Sequence, residues 1–356
     1  MAFPYSLLRP LLFQLEAETA HNFSLRALKS GLLLAVSNAP DPILKTRLFG
    51  LEFPNPVGLS AGYDKNGDVL DALAGLGFGF AEAGSVTPLA QDGNPKPRIF
   101  RLPEDQAVIN RLGFNNRGLE TAAANFGNRR KGFIVGANLG ANKLSEDRIA
   151  DYVTGMRRLA PLADYVTVNI SSPNTPGLRA LQGKAELEEL LGRLMAARSD
   201  MTATGAASFP LLLKIAPDLT EDDKADIAAV ALESGLDGLI VTNTTITRPE
   251  TLRNVQKGET GGLSGQPLKE LSLSVLKDMY RATSGKIPLI GVGGIQNVED
   301  AYARIRAGAS LIQIYSAMVY KGPYLAADIA KGLAACLKAD GFSSIAEAVG
   351  VDTPLS

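Results

Sequence analysis

The chain has 356 residues and a formal net charge of −1 at pH 7, with 46% hydrophobic and 21% charged residues. This length permits one large α/β domain or two ordinary ones, and the near-neutral charge gives no reason to propose nucleic acid as a partner. The single cysteine, Cys336, excludes an internal disulfide and a cysteine cluster for zinc or iron–sulfur. The single histidine, His21, lies outside the repeating region described below, so no histidine triad or histidine metal site is predicted there.

Residues 1–40 differ from the rest of the chain, because leucine recurs there at helical spacing in two runs. These leucines are Leu7, Leu8, Leu11, Leu12 and Leu15, followed by Leu25, Leu28 and Leu32. They predict two short amphipathic helices, with Pro10 near the start of the first, where proline is tolerated. Charged residues such as Arg9 and Glu16 keep the apolar runs far below the roughly 20 residues of a membrane span, and no secretory signal pattern is present. The leucine faces suit equally a cap on the main domain and a membrane-facing extension that walls a tunnel for an apolar ligand.

Residues 41–356 are predicted to form one domain, in which short apolar strands alternate with helical patterns from about residue 51. The strands are predicted at Val57–Gly62, Phe80–Ser85, Ile134–Asn138, Tyr165–Ser171, Leu211–Ile215, Leu239–Asn243, Pro288–Gly294 and Leu311–Ser316. Eight such units indicate a (β/α)₈ TIM barrel with its active site at the carboxyl ends of the strands. A doubly wound sheet is the alternative, but no Gly-x-Gly-x-x-Gly opens a helix after the first strand. An insertion at residues 91–128, rich in Pro, Asn and Arg, is expected to shape the substrate site.

The fourth strand runs into a polar loop between Val166 and Gly177. Its β-branched residues favour a buried strand, and the prolines that follow cannot continue the ladder. Asn169, Ser171, Ser172 and Asn174 therefore lie where the strand becomes a loop. Asparagine amides suit the edge of a neutral heterocycle and a serine hydroxyl can relay a proton, although Ser, Asn and Pro also form ordinary turns.

Other strand ends add a set of amides and lysines to the same mouth. They are Lys65, Asn138, Asn169, Lys214 and Asn243. Such a mouth suits a planar, carbonyl-rich anion and lacks the carboxylate clusters of a Mg²⁺ site or a glycosidase. The segments 291–295 and 314–318 follow strands seven and eight, where this fold usually holds a phosphate, and the glycines of 261–265 support that prediction.

Lys214 lies within the apolar run Leu-Leu-Leu-Lys-Ile and so is not expected at the surface. A desolvated lysine can form a Schiff base, as in an aldolase. It can instead remain charged beside a flavin and stabilise the reduced anion.

Several motifs together resemble class 2 dihydroorotate dehydrogenases, the quinone-dependent flavoenzymes of pyrimidine synthesis, over nearly the whole chain. The motifs are residues 61–65, 84–88, 94–98, 109–116, 169–177, 261–265 and 291–295. The resemblance implies one FMN per chain, with contacts at Ala61, Gly62, Ser85, Asn138, Asn169, Lys214, Thr242, Gly265, Gly294, Tyr315 and Ser316. It implies substrate contacts at Lys65, Asn110, Arg111, Leu112, Gly113, Phe114, Asn169, Asn174, Asn243 and Thr244.

The resemblance also assigns the base that oxidation of (S)-dihydroorotate to orotate requires. The substrate loses a proton from C5 and a hydride from C6, the latter to flavin N5. Class 2 enzymes use serine as the base and class 1 enzymes use cysteine, and the matching residue in this chain is Ser172. A free serine is a poor base, so it needs a relay and a substrate held in near-attack geometry. Lys65 and the asparagines are expected to supply that geometry and to stabilise the developing enolate oxygen.

His21 and Arg101 match positions that the family places at a quinone tunnel between the N-terminal helices and the barrel. The resemblance therefore implies a peripheral membrane protein on the cytoplasmic side of the cell membrane, similar to bacterial members that lack an organelle-targeting segment.

Two alternatives to this function stay open on the sequence. One is a class 1-like dihydroorotate dehydrogenase that uses fumarate or a nicotinamide cofactor, although Cys336 lies too near the C-terminus to replace Ser172. The other is a non-catalytic barrel that binds a membrane or a partner through residues 1–40. The presence of Lys65, Ser172 and Asn174 opposes the second alternative.

Overall fold

The computed structural model describes residues 5–33, 35–36 and 40–355. The strands are β1 (Thr46–Leu48), β2 (Leu51–Phe53), β3 (Val57–Leu59), β4 (Phe80–Val86), β5 (Ile99–Leu102), β6 (Ala107–Asn110), β7 (Ile134–Leu139), β8 (Tyr165–Asn169), β9 (Leu211–Ile215), β10 (Gly238–Val241), β11 (Gly262–Gly265), β12 (Leu289–Val292) and β13 (Ala309–Ile314). The α-helices are α1 (Tyr5–Gln14), α2 (Ala17–Lys29), α3 (Leu70–Leu73), α4 (Leu119–Asn128), α5 (Arg148–Leu159), α6 (Lys184–Ala203), α7 (Glu221–Ser234), α8 (Lys269–Ala282), α9 (Val298–Arg306), α10 (Ser316–Lys321), α11 (Leu325–Ala339) and α12 (Ile345–Ala348).

Eight parallel strands close into a barrel in the order β3, β4, β7, β8, β9, β10, β12 and β13, with β13 paired to β3. Every strand predicted from the sequence is present, so the predicted barrel is confirmed. The predicted ends differ by a few residues: β3 stops at Leu59, because the chain turns at Gly62, whose φ of 104° is left-handed.

The barrel interior is apolar at the amino ends of the strands. Because side chains alternate between the two faces of a strand, every second residue points inward. The lowest inward layer consists of Phe80, Tyr165, Leu212, Ile240, Ile290 and Leu311, with Phe53 of β2 packed against it. Glycines make room for its rings, since a Cβ on Gly58 would lie 2.3 Å from Phe80 Cζ and one on Gly136 would lie 2.2 Å from Tyr165 Cζ. This layer closes one end of the barrel and leaves the carboxyl end for polar groups.

A three-stranded sheet, absent from the sequence prediction, lies at the barrel mouth. β5 and β6 form an antiparallel hairpin, and β11 pairs with the other edge of β6. The insertion predicted at residues 91–128 is thus not irregular throughout, because it contains this hairpin and ends in α4. Each strand has four residues, which is too short for alternation to predict it.

The N-terminal extension contains the two predicted helices, α1 and α2. The prediction for Pro10 was wrong, since it lies at the sixth of the ten residues of α1. Side chains of α1 bond to the body of the protein: Tyr5 OH donates to Val319 O at 2.8 Å and Arg9 donates to Tyr320 O at 3.2 Å. Such tertiary contacts offset the backbone bond that proline removes. Residues 1–4, 34 and 37–39 of the predicted extension lie outside the described residues, and no described helix is long and apolar enough to cross a bilayer.

Two arginines dock the extension on the small sheet. Arg98 donates from Nε and Nη2 to Glu18 of α2, at 2.9 and 2.7 Å, and both side chains are buried. Arg101 of β5 donates to the backbone carbonyls of Leu12, Phe13 and Leu15. Its guanidinium therefore satisfies carbonyls at the carboxyl end of α1, where a cation is favoured.

We expect Glu18→Gln to lower the free energy of unfolding by about 3–5 kcal/mol, because it leaves the Arg98 cation buried without its carboxylate. The Arg98 hydrogen bonds hold the pKa of Glu18 below its ordinary value of 4.5. The stabilisation is therefore complete above about pH 4.5 and is lost as the pH falls through the depressed pKa of the folded state. Urea unfolding of the wild type and of Glu18→Gln from pH 3 to 7 measures the free energy of unfolding and its pH dependence.

The matched control for this variant is Asp200→Asn, which breaks an exposed ion pair with Arg157. It should cost less than about 1 kcal/mol. Equal stability of the Glu18→Gln variant and the wild type at pH 7 would contradict the docking role of the buried pair.

Candidate active site

A cavity of about 750 Å³ joins the N-terminal helices to the carboxyl ends of the barrel strands. Its outer wall is largely apolar and includes Leu8, Leu12, Phe13, Ala20, Phe23 and Ala27. Its inner wall is polar and includes Ser60, Ser85, Asn169, Lys214 and Asn243. One continuous space therefore offers an apolar section and a polar section, as two chemically different ligands would require.

The cavity brings together nearly all the site residues predicted from the sequence. Those that line it are His21, Ala61, Gly62, Lys65, Ser85, Arg101, Asn110, Leu112, Gly113, Phe114, Asn169, Ser172, Asn174, Lys214, Thr242, Asn243, Thr244, Gly265, Gly294, Tyr315 and Ser316. Asn138 and Arg111 are not part of its lining.

Asn138 lies behind the polar wall of the cavity and supports it through a chain of hydrogen bonds between amides and serine hydroxyls. Ser85 Oγ donates to Asn138 Oδ1 at 2.5 Å, and Asn169 Nδ2 donates to Ser85 Oγ at 2.9 Å. Asn243 Nδ2 in turn donates to Asn169 Oδ1 at 3.3 Å and to Ser171 Oγ at 3.0 Å. These bonds fix the orientation of the amides at the ends of three strands, so the wall is preorganised for a ligand with amide-like edges.

The loop after β8 positions Ser172 and Asn174. Ser172 Oγ accepts the backbone N–H of Asn174 at 3.2 Å, and the serine is buried. Asn174 Nδ2 donates to Asn110 Oδ1 at 3.4 Å, and Asn94 Nδ2 donates to Asn174 O at 3.3 Å. The bond to Asn174 uses one lone pair of the serine hydroxyl and leaves the second, which a proton acceptor requires.

Lys65 provides a cation at the cavity wall. It follows Asp64, whose carboxylate accepts the backbone N–H groups of Asp68 and Val69, each at 2.8 Å, and so fixes the turn after β3. Burial lowers the pKa of Lys65 to about 8. At neutral pH its ammonium remains largely charged, which suits an anionic ligand.

Lys214 crosses the barrel from β9, and its Nζ donates to Ser60 Oγ at 3.1 Å. Burial lowers the pKa of Lys214, whereas the negative charge of Glu82 raises it. Glu82 is itself fully buried on β4. Its carboxylate accepts bonds from Gln313 Nε2 (2.6 Å), Asn138 Nδ2 (2.7 Å) and Tyr165 OH (3.3 Å).

A hollow lined by glycine backbone lies at the other side of the cavity. Gly293 and Gly294 have φ angles of 116° and 70°, and a Cβ on Gly294 would lie 2.3 Å from Lys269 Cα. Gly265 is equally constrained, since a Cβ there would lie 2.4 Å from Gln106 O. Only glycine lets the backbone pack this closely and present its N–H groups, so the hollow fits a phosphate group.

Comparison with known proteins identifies the family. A family model described as "Dihydroorotate dehydrogenase" matches residues 43–337. The chain belongs to this family. The sequence resemblance is thereby confirmed.

The relatives of the chain in this family are similar over almost their whole length. A protein of Parvibaculum lavamentivorans is 58% identical over 99% of both chains, and one of Rhodospirillum rubrum is 57% identical over 99% of this chain and 95% of its own. Both are named dihydroorotate dehydrogenase (quinone).

Two solved structures of DHODH from Eimeria tenella share the fold. The complex with ferulenol has a TM-score of 0.91 at 41% identity, covering 94% of this chain and 95% of its own. The ligand-free protein has a TM-score of 0.90 at 42% identity, covering 95% of this chain and 99% of its own. The barrel of this dihydroorotate dehydrogenase family member is thus also supported by crystal structures.

Aromatic rings connect the apolar section of the cavity to the polar one. His21 packs edge-on against Tyr63 with ring centroids 5.3 Å apart, and Tyr63 packs edge-on against Tyr315 at 5.7 Å. Burial, followed by the charge of Lys65, lowers the pKa of His21 to about 3, so the imidazole is neutral at pH 7. The predicted roles of His21 and Arg101 toward a quinone stay predictions, and Arg101 also has the helix-docking role described above.

Arg111 lines a second, smaller pocket of about 260 Å³ together with Lys143 and Asn174. Its guanidinium pairs with Glu259 at 2.6 Å and lies over the ring of Phe100, 4.5 Å from the centroid. The side chain of Arg111 thus borders the substrate loop from outside, and its predicted contact with substrate stays a prediction.

Sequence reasoning missed Glu82, Gln313 and Tyr63. A signal existed for Glu82, because a carboxylate inside the apolar strand Phe-Ala-Glu-Ala-Gly is unusual unless it is hydrogen-bonded. A signal of the same kind existed for Gln313, an amide inside the apolar run Leu-Ile-Gln-Ile. Tyr63 stands in the motif 61–65, but its ring partners His21 and Tyr315 come from distant parts of the chain.

Proposed function

We propose that this protein oxidises (S)-dihydroorotate to orotate in pyrimidine biosynthesis, with FMN as its cofactor and a membrane quinone as its electron acceptor. The observation that carries the proposal is the placement of Ser172, Lys65 and the asparagines in one cavity with the glycine hollow. The names of the curated relatives support the same reaction and acceptor.

The residues of the cavity fit FMN. Gly265 and Gly294 would hold the phosphate through their backbone, and Lys214 would lie near the ring carbonyls as a cation. When bound there, FMN would supply the two-electron acceptor for the C6 hydride and the route of the electrons to a quinone.

The side chains of the loops would bind the substrate and remove its C5 proton. Lys65 attracts the substrate carboxylate, and Asn110, Asn174 and Asn243 match the alternating N–H and C=O groups of its ring. Ser172 takes the C5 proton as its own hydroxyl proton passes to a hydrogen-bonded relay, while the cation and amides stabilise the enolate oxygen that forms. The apolar walls exclude water from this polar end, which strengthens each of these interactions.

The N-terminal helices would admit the quinone from a membrane. Leu7 and Leu11 of α1 and Leu32, which follows α2, are 64%, 62% and 75% exposed. Leu8 and Leu12 of α1 line the cavity. An exposed apolar face continuous with an apolar passage suits peripheral contact with a bilayer on its cytoplasmic side.

Stopped-flow absorbance of the purified protein tests the proposal. Anaerobic dihydroorotate should bleach the flavin, and a ubiquinone or menaquinone analogue should then restore its colour. Recovery only with fumarate or a nicotinamide cofactor would replace the acceptor with that of a class 1 enzyme. A protein without flavin would contradict the proposed oxidation.

The affinity for dihydroorotate should fall above about pH 8. Lys65, with its pKa lowered to about 8, is protonated below that pH and loses its charge as the pH rises through it. The value of kcat/KM should therefore decrease about tenfold per pH unit well above pH 8 if only the cation binds substrate. Measuring kcat/KM from pH 6 to 10 checks this.

Lys65→Arg is the control for the pH profile, because a guanidinium keeps its charge throughout this range. Its kcat/KM should be lower than that of the wild type but should lack the decline near pH 8. The same decline in both proteins would show that another group titrates.

A further inference from the structure

Glu82 is a fully buried carboxylate, and its hydrogen-bond donors among the described residues are all neutral. Its three partners are the amides of Asn138 and Gln313 and the hydroxyl of Tyr165. A buried carboxylate surrounded only by neutral donors is costly unless a cation lies nearby. The question is therefore which cation compensates its charge.

The strand register places Lys214 beside Glu82. Gly58 pairs with Phe80 and Leu59 with Ala81, so the next residue, Ser60, is level with Glu82 on the neighbouring strand. Lys214 reaches across the lumen from β9 and donates to Ser60 Oγ at 3.1 Å. Its ammonium thus ends at the residue adjacent to the buried carboxylate.

The other inward side chains above the apolar layer carry no charge. They are Ser60 on the loop after β3, Asn138 on β7, Thr167 and Asn169 on β8, Thr242 after β10, Val292 on β12 and Gln313 on β13. The Tyr165 hydroxyl also faces Glu82, and its pKa is raised well above 10.0 by burial, so it stays neutral. Among the described residues that line the polar section, Lys65 is the other cation, and it lies at the cavity wall beyond the strands.

We infer that Glu82 is the counter-ion of Lys214 and keeps its ammonium protonated inside the barrel, so that the bound flavin always meets a cation there. The inference rests on the proposed function for its consequence, since only a bound flavin gains negative charge on reduction. A protonated Lys214 stabilises that charge, whereas a neutral amine would be a nucleophile of the Schiff-base type. Glu82 thereby keeps Lys214 in the charged form, which stabilises negative charge on the flavin. Glu82 is a positioning residue that does not itself touch the ligand.

The test is the reduction potential of the bound flavin from pH 6 to 9.5, measured by equilibration with a reference dye, in the wild type and in Glu82→Gln. In the variant, Lys214 should lose its proton within this range and regain it when the flavin is reduced. Uptake of one additional proton per two electrons changes the reduction equilibrium by a further factor of ten per pH unit. The potential of the variant should therefore fall by about 30 mV more per pH unit above that break. The wild type should lack this break of Lys214. A break that the wild type and the variant share, as Lys65 with its pKa of about 8 would cause, belongs to another group.

Two controls isolate the pair. Adding Lys214→Met to Glu82→Gln should abolish the break, and Tyr165→Phe, which removes one neutral donor and keeps both charges, should match the wild type. Gln313 Oε1 has no partner among the described residues, so its amide can turn to accept the new N–H of the glutamine. A Glu82→Gln curve parallel to that of the wild type would overturn the inference.

If Glu82→Gln does not retain flavin, the protonation of Lys214 can be measured directly. The Cε chemical shift of ¹³C-labelled Lys214, assigned with Lys214→Met, reports its protonation with or without a cofactor. Glu82→Asp should keep the titration of the lysine close to that of the wild type, whereas the equally sized Glu82→Asn should move it to lower pH. Identical titrations of these two variants would contradict the pairing, whereas a wild type that binds no flavin would contradict only the proposed function.

Discussion

Replacing Ser172 with alanine should lower kcat by about 10²–10⁴-fold while the flavin remains bound. The effect is large because the variant removes the group that accepts the C5 proton, and a positioned base contributes about this factor. Ser172 Oγ accepts only the backbone N–H of Asn174 at 3.2 Å in the network described above, so its loss leaves the amide wall intact. Single-turnover bleaching of the flavin by dihydroorotate measures the chemical step directly.

Substrate deuterated at C5 identifies the step that has become slow. In Ser172→Ala the isotope effect on flavin bleaching should approach its full intrinsic value, since proton removal then limits the rate. The matched control is Ser171→Ala, which loses a bond to Asn169 Oδ1 of 2.8 Å and should raise KM more than it lowers kcat. Loss of flavin from Ser172→Ala, or equal kcat losses in both variants, would contradict the role of Ser172 as base.

The barrel could be predicted from sequence because its strands are buried on both faces. Such strands appear as continuous apolar runs, and Leu211–Ile215 is an example in which the predicted and observed bounds agree. The small sheet could not be predicted, because its order depends on a pairing between β6 and β11, as in Ile109 with Leu263, and these strands are distant in sequence. Pro10 was misplaced for a related reason, since tertiary contacts of Tyr5 and Arg9 hold a helix that local preference disfavours.

The grouping of the candidate site residues in one cavity could be predicted from sequence, but the pairing of their charges could not. Strand ends in a parallel barrel meet at one mouth, so Asn169, Lys214 and Asn243 could be grouped without a structure. The role of Glu82 could not, because Gln313 donates to it from 231 residues away and only folding brings them together. The sequence therefore placed Lys214 in the barrel, whereas only the fold shows that the carboxylate of Glu82 lies near it.

We expect the N-terminal helices to determine how the electrons leave, and their deletion is the second test with a large expected effect. Removing residues 1–40 should spare the bleaching of flavin by dihydroorotate and slow its reoxidation by a long-chain quinone by at least about 100-fold. The reason is that α1 and α2 supply the apolar wall of the passage, whereas the polar end is built by the barrel. The residues that would contact substrate, such as Lys65 and Ser172, remain in the truncated chain.

A small water-soluble redox dye is the internal control for this deletion. It needs no apolar passage, so it should reoxidise the flavin of the truncated protein about as fast as that of the full chain. The deletion also removes Glu18 and leaves Arg98 without its carboxylate, so some loss of stability is expected in addition. Equal loss of the dihydroorotate and quinone half-reactions would mean that the helices serve as a structural cap. A selective loss of the quinone half-reaction, with the dye still active, would assign the apolar passage to the electron acceptor.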